Sequence, residues 1–434
     1  MNRFFYSVLL TLILPLMPLK LLWRGIKQPA YLRHWPERFG FYDIKISKPV
    51  IWLHCVSVGE TRAAEPLVKQ LQITYPQHQI LLTHGTPTGR EASEGIFGNL
   101  VDRVYLPYDV PFAVNNFLKH FQPKIGLILE TELWFNLIAA CKQREIPILL
   151  LNARLSEKSA KGYAKLGKLA REGLQSLSAV AAQTNDDAAR LQNLGATNIS
   201  VAGNLKFDVK PPAWALPTAE KLALQFEQNQ LGQKRTIFLA ASTREGEEAL
   251  IIEAVKDLDI LTVIVPRHPQ RFLEVANLLQ KNQHAFMWRT DLQANSYPDA
   301  RGEVAAKIVP ANCKFVLGNS MGELFTYYAA CDFTFIGGSL LPFGGQNLIE
   351  AAAMGKPILI GEHTFNFAEA TKNALDAGAA IRVKDVQALR DGIILLRDDA
   401  AQRKKMQQAA LQFSATYSGA TIRLMALVAH HLSA

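Results

Sequence analysis

Two series of short apolar runs, alternating with helix-length segments, constrain the fold of this chain more than any other feature. The runs are 50–56, 79–83, 103–106, 125–129, 147–151, 179–182 and 199–202, then 236–240, 261–265, 314–317, 333–336, 357–360 and 379–383. Short apolar strands separated by helices are typical of parallel sheets covered on both faces. The pattern therefore predicts an α/β fold with two doubly wound, Rossmann-like domains.

A proline-bearing stretch, Pro211-Pro212-Ala213-Trp214-Ala215-Leu216-Pro217, separates the two series. We predict an N-terminal domain over 49–210, a linker over 211–234 and a C-terminal domain over 235–434 that ends in a helical tail. Ligands of such folds bind beyond the carboxyl ends of the strands. Two domains facing a cleft would place the functional site in that cleft.

The N-terminus carries a long apolar segment, FFYSVLLTLILPLMPLKLL, over residues 4–22. Pro15, Pro18 and Lys20 interrupt it, and its length is marginal for crossing a bilayer as a helix. No small-residue cleavage site follows it. We therefore predict a hydrophobic anchor helix over 1–23 that either spans the membrane or lies in its interface. An apolar helix packed on the protein body is the alternative.

A basic collar over 24–48 follows this segment, with six Lys and Arg against Glu37 and Asp43. Positive flanks remain on the cytoplasmic side of a membrane, which predicts a single anchor with the body in the cytoplasm. Cations near an anionic membrane surface contribute about 1 kcal/mol each to binding. The collar therefore predicts an anionic membrane surface as a partner.

The overall composition excludes several classes of protein. Hydrophobic residues make up 49% and charged residues 20%, which is a globular balance rather than that of a disordered or polytopic membrane protein. The net charge of +9 is compatible with nucleic acid, an acidic membrane or a phosphorylated substrate. The four cysteines show no C-x-x-C pairing and no nearby His at zinc spacing, so neither a metal site nor a disulfide framework is indicated.

Charged residues follow three runs of the first series. Glu60, in Ser57-Val58-Gly59-Glu60-Thr61, can act as a general base or as a carboxylate that caps the next helix. Glu130 and Glu132 follow the run 125–129, where one could cap a helix and the other face the cleft. Lys206 follows the run 199–202 and could neutralise phosphate or carboxylate charge, or lie solvated on the surface.

The second series has anion-binding features after its strands. Small hydroxyls and backbone N–H groups over 241–248 open a helix, and Arg267 adds a guanidinium. The glycines Gly344 and Gly345 precede a helix start at which Glu350 could accept hydrogen bonds from a ribose diol. No G-x-x-x-x-G-K-[ST] loop or G-x-G-x-x-G fingerprint follows these strands, which argues against ATPases and dinucleotide enzymes.

The glycine loop, the E-A-x-x-x-G-x-P motif at 350–357 and the two domains resemble the GT-B class of nucleotide-sugar glycosyltransferases. The motifs HCVSVGE at 54–60, ETELW at 130–134, NARLS at 152–156, PRHP at 266–269 and MGEL at 321–324 are together similar to the 3-deoxy-D-manno-octulosonic acid (Kdo) transferases of lipid A assembly. The resemblance covers essentially the whole chain, including RHWPERFG at 33–40. This combination of motifs is highly specific.

The resemblance implies an inverting transfer of Kdo from CMP-Kdo to the lipid A precursor, lipid IVA, at the cytoplasmic face of the bacterial inner membrane, in lipopolysaccharide core assembly. It implies Glu60 as the general base, with Glu130 and Lys206 supporting the transition state. The implied CMP-binding residues are Arg267, His268, Pro269, Met321, Gly322, Glu323, Asn347, Leu348, Ile349 and Glu350. We expect no metal and no cofactor besides the donor substrate CMP-Kdo, and no nucleic-acid partner.

One position departs from the family pattern. The family's T-T-x-T-x-T-G turn has a second threonine where this chain has His84, which is bulkier and can titrate near neutral pH.

Two rival functions make different predictions. Another GT-B enzyme, such as a lipid-linked N-acetylglucosaminyl transferase or a UDP-sugar epimerase, would bind UDP better than CMP. A non-catalytic basic protein that binds membranes or nucleic acid would be indifferent to CMP.

Overall fold

The computed structural model describes residues 1–226, 234–293 and 308–432. The chain divides into two compact units, the first over Met1–Asp208 and from Ser418 onward, the second over Val209–Tyr417. Each unit is built on a seven-stranded sheet in which neighbouring strands are parallel. The predicted α/β class with two doubly wound sheets is confirmed.

The first sheet has the strand order β3-β2-β1-β4-β5-β6-β7, which reverses between β1 and β4. Its strands are β1 (Val50–His54), β2 (Gln79–His84), β3 (Asp102–Tyr105), β4 (Ile125–Leu129), β5 (Ile148–Ala153), β6 (Ala179–Ala182) and β7 (Ile199–Val201). The helices are α1 (Arg3–Ile13), α2 (Met17–Lys27), α3 (Val58–Ala63), α4 (Glu65–Thr74), α5 (Pro87–Phe97), α6 (Pro111–Phe121), α7 (Phe135–Gln143), α8 (Glu157–Ala164), α9 (Lys168–Gln175) and α10 (Asn185–Asn193).

The second sheet has the order β10-β11-β9-β8-β12-β13-β14, with its reversal between β8 and β12. Its strands are β8 (Ile237–Thr243), β9 (Leu261–Pro266), β10 (Phe286–Trp288), β11 (Phe315–Leu317), β12 (Phe333–Ile336), β13 (Ile358–Ile360) and β14 (Ala380–Arg382). The helices are α11 (Ala215–Phe226), α12 (Glu247–Val255), α13 (Phe272–Lys281), α14 (Arg289–Gln293), α15 (Leu324–Ala330), α16 (Ile349–Ala353), α17 (Ala368–Asp376), α18 (Val386–Asp398) and α19 (Ala400–Tyr417).

Strand β1 shows why these apolar runs form central strands. Trp52 packs in the core cluster on one face of the sheet, whereas Ile51 and Leu53 pack in the cluster on the other face. A side chain at position 126 of the neighbouring strand would overlap the Trp52 indole, because a Cβ on Gly126 would lie 2.7 Å from it. Glycine there leaves room for the indole, whose Nε1 donates a hydrogen bond to Thr83 Oγ1 over 2.8 Å.

The C-terminal tail differs from the predicted domain boundary. Helix α20 (Ala420–Leu432) belongs to the first unit, where Leu424 and Val428 are buried in the same core cluster as Leu53. The Asp208 carboxylate also accepts backbone N–H groups that follow α19 and begin α20. Assigning the tail through residue 434 to the C-terminal domain was wrong, since an apolar stripe does not specify which sheet it covers.

The predicted linker over 211–234 also differs from the structure. It contains helix α11, whose Leu222 and Phe226 are buried and which packs against α15 within the second unit. Residues 227–233 of that linker lie outside the described residues. The prolines of this stretch precede or begin helix α11, because proline is well accommodated in a first helical turn. They therefore do not by themselves indicate a linker between domains.

The N-terminal segment over Arg3–Lys27 is helical, and it is long and apolar enough to cross a membrane. It exposes large apolar side chains, among them Phe4 and Leu12. Its first turns also contact the rest of the first unit. The Tyr6 hydroxyl donates to Asp109 Oδ2 over 2.9 Å, and the Ser7 hydroxyl donates to Asn136 Oδ1 over 2.7 Å. The segment therefore combines an exposed apolar surface with polar contacts to the protein body.

The buried tail helix generates a stability prediction. Replacing Leu424, which is fully buried, with Ala should destabilise the protein by about 2–5 kcal/mol, because it removes apolar contacts and leaves a cavity. The measurement is the midpoint of urea unfolding followed by circular dichroism. Ile422→Ala, on the exposed side of the same helix, is the control and should change the midpoint little. Equal effects of the two substitutions would contradict the placement of α20.

Candidate active site

Glu60 lies in the first turn of α3, directly after the carboxyl end of β1. Its Oε2 accepts the Val56 N–H over 2.8 Å and its Oε1 accepts the Ser57 hydroxyl over 2.9 Å. Ser57 in turn caps the helix by accepting the Glu60 N–H. The carboxylate therefore takes part in a variant of the capping box, as one reading of the sequence proposed. Burial nevertheless raises the pKa of Glu60 above its ordinary value, although these hydrogen bonds oppose the rise.

Two further carboxylates lie beyond β4, the neighbour of β1. Glu130 has a left-handed backbone with φ +56°, and its N–H donates to the Leu151 carbonyl over 3.0 Å. The pKa of Glu132 is raised to about 7, first by burial and then by the negative charges of Glu60 and Glu130. The structure thus gathers three carboxylates at one edge of the sheet. Glu132, to which the sequence assigned no definite role, has a strongly perturbed pKa among them.

His84 does not behave as a titrating group. Its ring is fully buried, and burial lowers its pKa to about 4, so it is neutral at pH 7. Its Nδ1 lies 3.0 Å from the Cys55 carbonyl oxygen, which can only accept, so Nδ1 carries the proton. The buried ring of His84 therefore does not use the ability of histidine to titrate near neutral pH. The ring instead joins the ends of β1 and β2.

The rest of the turn after β2 supports the Glu60 loop. The Thr86 hydroxyl accepts the Gly89 N–H as the cap of α5, and it also donates to the Val56 carbonyl over 3.1 Å. A Cβ on Gly89 would lie 3.1 Å from that same carbonyl oxygen. Val56 thus contacts Glu60 through its N–H and this turn through its carbonyl group. The turn after β2 therefore holds the loop before α3.

Lys206 lies in a short 3-10 helix, Leu205–Asp208, that follows β7. Its N–H donates to Asn204 Oδ1 over 3.0 Å, and the Leu205 N–H donates to Asn152 Oδ1 over 3.0 Å. Asn204 donates in turn to Gln183 Oε1 over 2.9 Å. This amide network ties the backbone of Lys206 to the carboxyl ends of β5 and β6. Lys206, Glu60 and Glu130 therefore follow strands of the same sheet at the same edge.

In the second unit, the predicted residues Arg267, His268 and Pro269 follow β9. The Arg267 N–H donates to the Thr243 carbonyl over 3.0 Å, which places this loop beside the end of β8. Partial burial and the neighbouring cations Arg244, Arg267 and Arg271 lower the pKa of His268. The loop is therefore a local concentration of positive charge, which favours a phosphate group.

The predicted turn Met321-Gly322-Glu323 follows β11. Gly322 has φ +81°, a conformation that suits glycine, and the Met321 side chain is exposed. Glu323 accepts a hydrogen bond from Arg289 Nη2 over 3.1 Å and another from the Ser320 hydroxyl. The Glu323 side chain is therefore held in an ion pair within its own unit.

The predicted segment Asn347 to Glu350 begins α16. Asn347 Nδ2 donates to Glu350 Oε1 over 3.0 Å, while Asn347 Oδ1 accepts the Ile349 N–H over 3.0 Å. The side chains of Leu348 and Ile349 are buried in the core, so only their backbone groups are available to a ligand. Asn347 therefore orients the carboxylate of Glu350.

The ten predicted donor-site residues thus follow β9, β11 and β12 at the carboxyl edge of the second sheet. Within residues 1–226, 234–293 and 308–432, no group of three or more His, Cys, Asp and Glu is arranged to hold a metal ion. Two carboxylates at this edge were not predicted. Glu247 and Glu248 are buried, and Glu247 accepts the Arg244 N–H that the sequence suggested for an external anion. The sequence feature that could have indicated these two carboxylates is the pair of adjacent acidic residues at the start of a helix.

Comparison with solved structures identifies the class of the fold. A glycosyltransferase from Rickettsia africae ESF-5 superposes with a TM-score of 0.55 at 16% sequence identity, covering 89% of this chain and 98% of that one. The UDP-GlcNAc 2-epimerase of Neisseria meningitidis superposes with the same TM-score, covering 88% and 100%. The two parallel sheets are those of the GT-B class.

Sequence comparisons identify the family within that class. The family model for 3-deoxy-D-manno-octulosonic-acid transferase matches residues 33–209, and the model for glycosyl transferases group 1 matches 225–413. The 3-deoxy-D-manno-octulosonic acid transferase of Bordetella pertussis is 40% identical over 90% of each chain. That of Haemophilus influenzae is 35% identical over 100% of this chain and 99% of its own. The chain belongs to the Kdo transferase family of glycosyltransferases.

The carboxylate cluster of the first unit predicts a pH-dependent change in stability. Glu132 has a raised pKa in the folded state, so its ionised form destabilises the fold above about pH 7. This destabilisation fades as the pH falls towards the ordinary pKa of a glutamate side chain. Glu132→Gln should therefore raise the melting temperature at pH 8 and leave it nearly unchanged at pH 5. Melting curves from pH 5 to 8 test this. The exposed Glu91→Gln is the control, and an equal shift in both variants would contradict the prediction.

Proposed function

We propose that this protein transfers Kdo from CMP-Kdo to a hydroxyl of the lipid A precursor, with inversion at the anomeric carbon, in lipopolysaccharide core assembly. In that step the acceptor oxygen forms a bond to the anomeric carbon and its proton goes to Glu60. The bond from that carbon to the phosphate oxygen breaks, and CMP leaves with the bonding electrons. The observation that carries the proposal is the buried, oriented carboxylate of Glu60 in a chain of this family.

The environment of Glu60 supports its assignment as the base. A carboxylate has about four lone-pair sites, and the hydrogen bonds from Val56 and Ser57 fix its direction without using all of them. Burial moves its pKa towards the working pH, which improves proton transfer. Glu130, at the adjacent strand, and Lys206 at the same sheet edge are proposed to support the transition state.

The second unit is proposed to bind the CMP part of the donor. The cationic loop with Arg267 and His268 stabilises the charge that grows on the leaving phosphate. Glu350, oriented by Asn347, accepts hydrogen bonds from the ribose hydroxyls. Pro269 and the turn with Met321, Gly322 and Glu323 complete the proposed pocket. The negative charge on CMP is met in this proposal by side chains and backbone dipoles.

Glu60→Gln tests the proposed base. The amide keeps the size of the side chain, and the Ser57 hydroxyl can rotate to accept from it, so the fold should be retained. Loss of the base should lower kcat by about 100- to 10,000-fold while the KM for CMP-Kdo changes little. The measurement is Kdo transfer to a tetraacylated lipid A precursor in detergent, read by mass spectrometry, with the anomeric configuration determined by NMR.

Glu65, the partly exposed first residue of α4, offers a matched control, and Glu65→Gln should transfer at the wild-type rate. An undiminished kcat in Glu60→Gln would show that another group takes the proton. Retention of configuration in the product would overturn the inverting step.

We also propose that the segment Arg3–Lys27 anchors the protein at the cytoplasmic face of the bacterial inner membrane. Its exposed side chains include Trp23 and Ile26, close to the basic residues Arg24 and Lys27. An apolar surface next to cations suits a bilayer with anionic headgroups. The acceptor's fatty chains remain in that bilayer, so an anchored enzyme would meet its substrate there.

Deletion of residues 1–27 tests the anchor. The truncated protein should lose sedimentation with phosphatidylglycerol vesicles but keep most of its transfer activity in detergent, where the acceptor no longer lies in a bilayer. Some loss of stability is expected, because the deletion removes the Tyr6 and Ser7 hydrogen bonds to Asp109 and Asn136. Complete loss of detergent activity in a folded truncation would contradict a role limited to membrane attachment.

A further inference from the structure

Glu247 and Glu248 are adjacent buried carboxylates at the start of α12. Their side chains are 0% and 1% exposed, yet they bind different groups. Burying a carboxylate without hydrogen-bond partners costs free energy. The partners of each carboxylate therefore indicate its structural role. Each of the two connects α12 to a different loop at the carboxyl edge of the second sheet.

Glu247 binds backbone N–H groups from the loops after β8 and β12. Its Oε2 accepts from Arg244 over 2.9 Å and from Gly338 over 2.6 Å, and its Oε1 accepts from Leu340 over 3.0 Å. Hydrogen bonds from backbone N–H groups to a carboxylate stabilise its charged form. Glu247 is thus an internal anion that joins these two loops.

The loop held by Glu247 holds the predicted donor segment in turn. The Gly338 carbonyl accepts the Gly345 N–H over 2.6 Å, and the Gly337 carbonyl accepts the Gln346 N–H over 3.0 Å. Residues 345 and 346 directly precede Asn347, at which the predicted CMP segment begins. A Cβ on Gly337 would lie 2.4 Å from the Ser242 carbonyl oxygen, so the loop is closely packed against the end of β8.

Glu248 supports the other predicted donor loop. Its Oε1 accepts from the Thr243 hydroxyl over 2.6 Å, and its two oxygens accept from Arg271 Nη1 and Nη2 over 2.5 and 3.1 Å. A bidentate pair of this kind fixes orientation as well as charge. The Arg271 N–H donates to the His268 carbonyl over 3.0 Å, so this pair fixes the turn that carries Arg267 and His268.

We propose that Glu247 and Glu248 are positioning residues of the donor site. Glu247 fixes the segment from Asn347 to Glu350 through the two glycine loops, and Glu248 fixes the loop with Arg267 and His268 through Arg271. The proposal rests on the proposed function, because it takes these two segments as the CMP site. Neither carboxylate needs to touch the donor for this role.

Binding of CMP, measured by isothermal titration calorimetry on the full chain, tests the proposal. Glu247→Gln turns one acceptor oxygen into an N–H donor that opposes backbone N–H groups, and Glu248→Gln breaks the bidentate pair. Each should weaken CMP binding at least 10-fold and raise the KM for CMP-Kdo while leaving the KM for the acceptor unchanged. Glu245→Gln removes the same charge from an exposed position of the same segment and should bind CMP as the wild type does.

Hydrogen exchange separates the two positioning roles. Glu247→Gln should speed exchange in peptides covering 337–346, whereas Glu248→Gln should speed exchange in peptides covering 265–272. Arg271→Lys, which changes a residue nearer the surface, provides a second test of the Glu248 pair if the buried variant fails to fold. Glu247→Asp keeps the charge but shortens the side chain, and it should weaken CMP binding without reversing any hydrogen bond.

Two kinds of failure are distinguishable. Wild-type protein that binds UDP but not CMP would overturn the proposed function. Wild-type protein that binds CMP, with unchanged affinity in folded Glu247 and Glu248 variants, would overturn the positioning roles alone. Altered CMP affinity with identical exchange in the two loops would also overturn them, because the effect would not pass through those loops.

Discussion

A parallel sheet that is buried on both faces restricts polar side chains largely to its strand ends, and both units of this protein depend on that restriction. In β1, alternate side chains fill two separate core clusters, one on each face of the sheet. The first acidic side chain after β1 is that of Glu60, and the first after β4 is that of Glu130. Because neighbouring parallel strands end at the same edge, the core packing itself brings these carboxylates together.

The same restriction explains what could be predicted from the sequence. Continuous apolar runs indicate buried parallel strands. The two sheets, and the residues that follow most of their strands, could therefore be predicted from the sequence. The strand β10 (Phe286–Trp288) was not predicted, because its apolar run is only three residues long and these are half-buried at the sheet edge. The unit to which α20 belongs could not be predicted from the sequence either. The apolar stripe of this helix is visible, but the hydrogen bonds that Asp208 accepts from its first turn and the preceding residue join positions distant in the chain.

The surroundings of individual side chains were harder to predict from the sequence than their positions at the strand ends. His84 follows an apolar run and could titrate near neutral pH, yet its ring is buried and its pKa is lowered to about 4. Glu247 stands in a segment that suggests an external anion, yet the protein supplies the anion itself. In both cases the sequence indicates the correct edge of the sheet. Whether a polar group there faces a ligand or another loop depends on contacts across tens of residues, which no local motif encodes.

Glu60 and Glu247 occupy the same kind of position but differ in their hydrogen-bond partners. Both are buried carboxylates in the first turn of a helix that follows a central strand, and burial raises the pKa of both. Glu247 accepts three backbone N–H groups from two loops, so protonating it would break the contacts that hold those loops. Glu60 accepts one N–H and one hydroxyl, both from its own turn, and a hydroxyl can reverse its hydrogen bond.

A proton on Glu60 therefore disturbs less of the structure than a proton on Glu247. Burial and the negative charge of Glu130 also raise the pKa of Glu60, which favours its protonated form. Capping and proton transfer are consequently compatible at Glu60, because the cap orients the carboxylate while burial and Glu130 make it more basic. The two roles that the sequence presented for this residue therefore do not exclude each other.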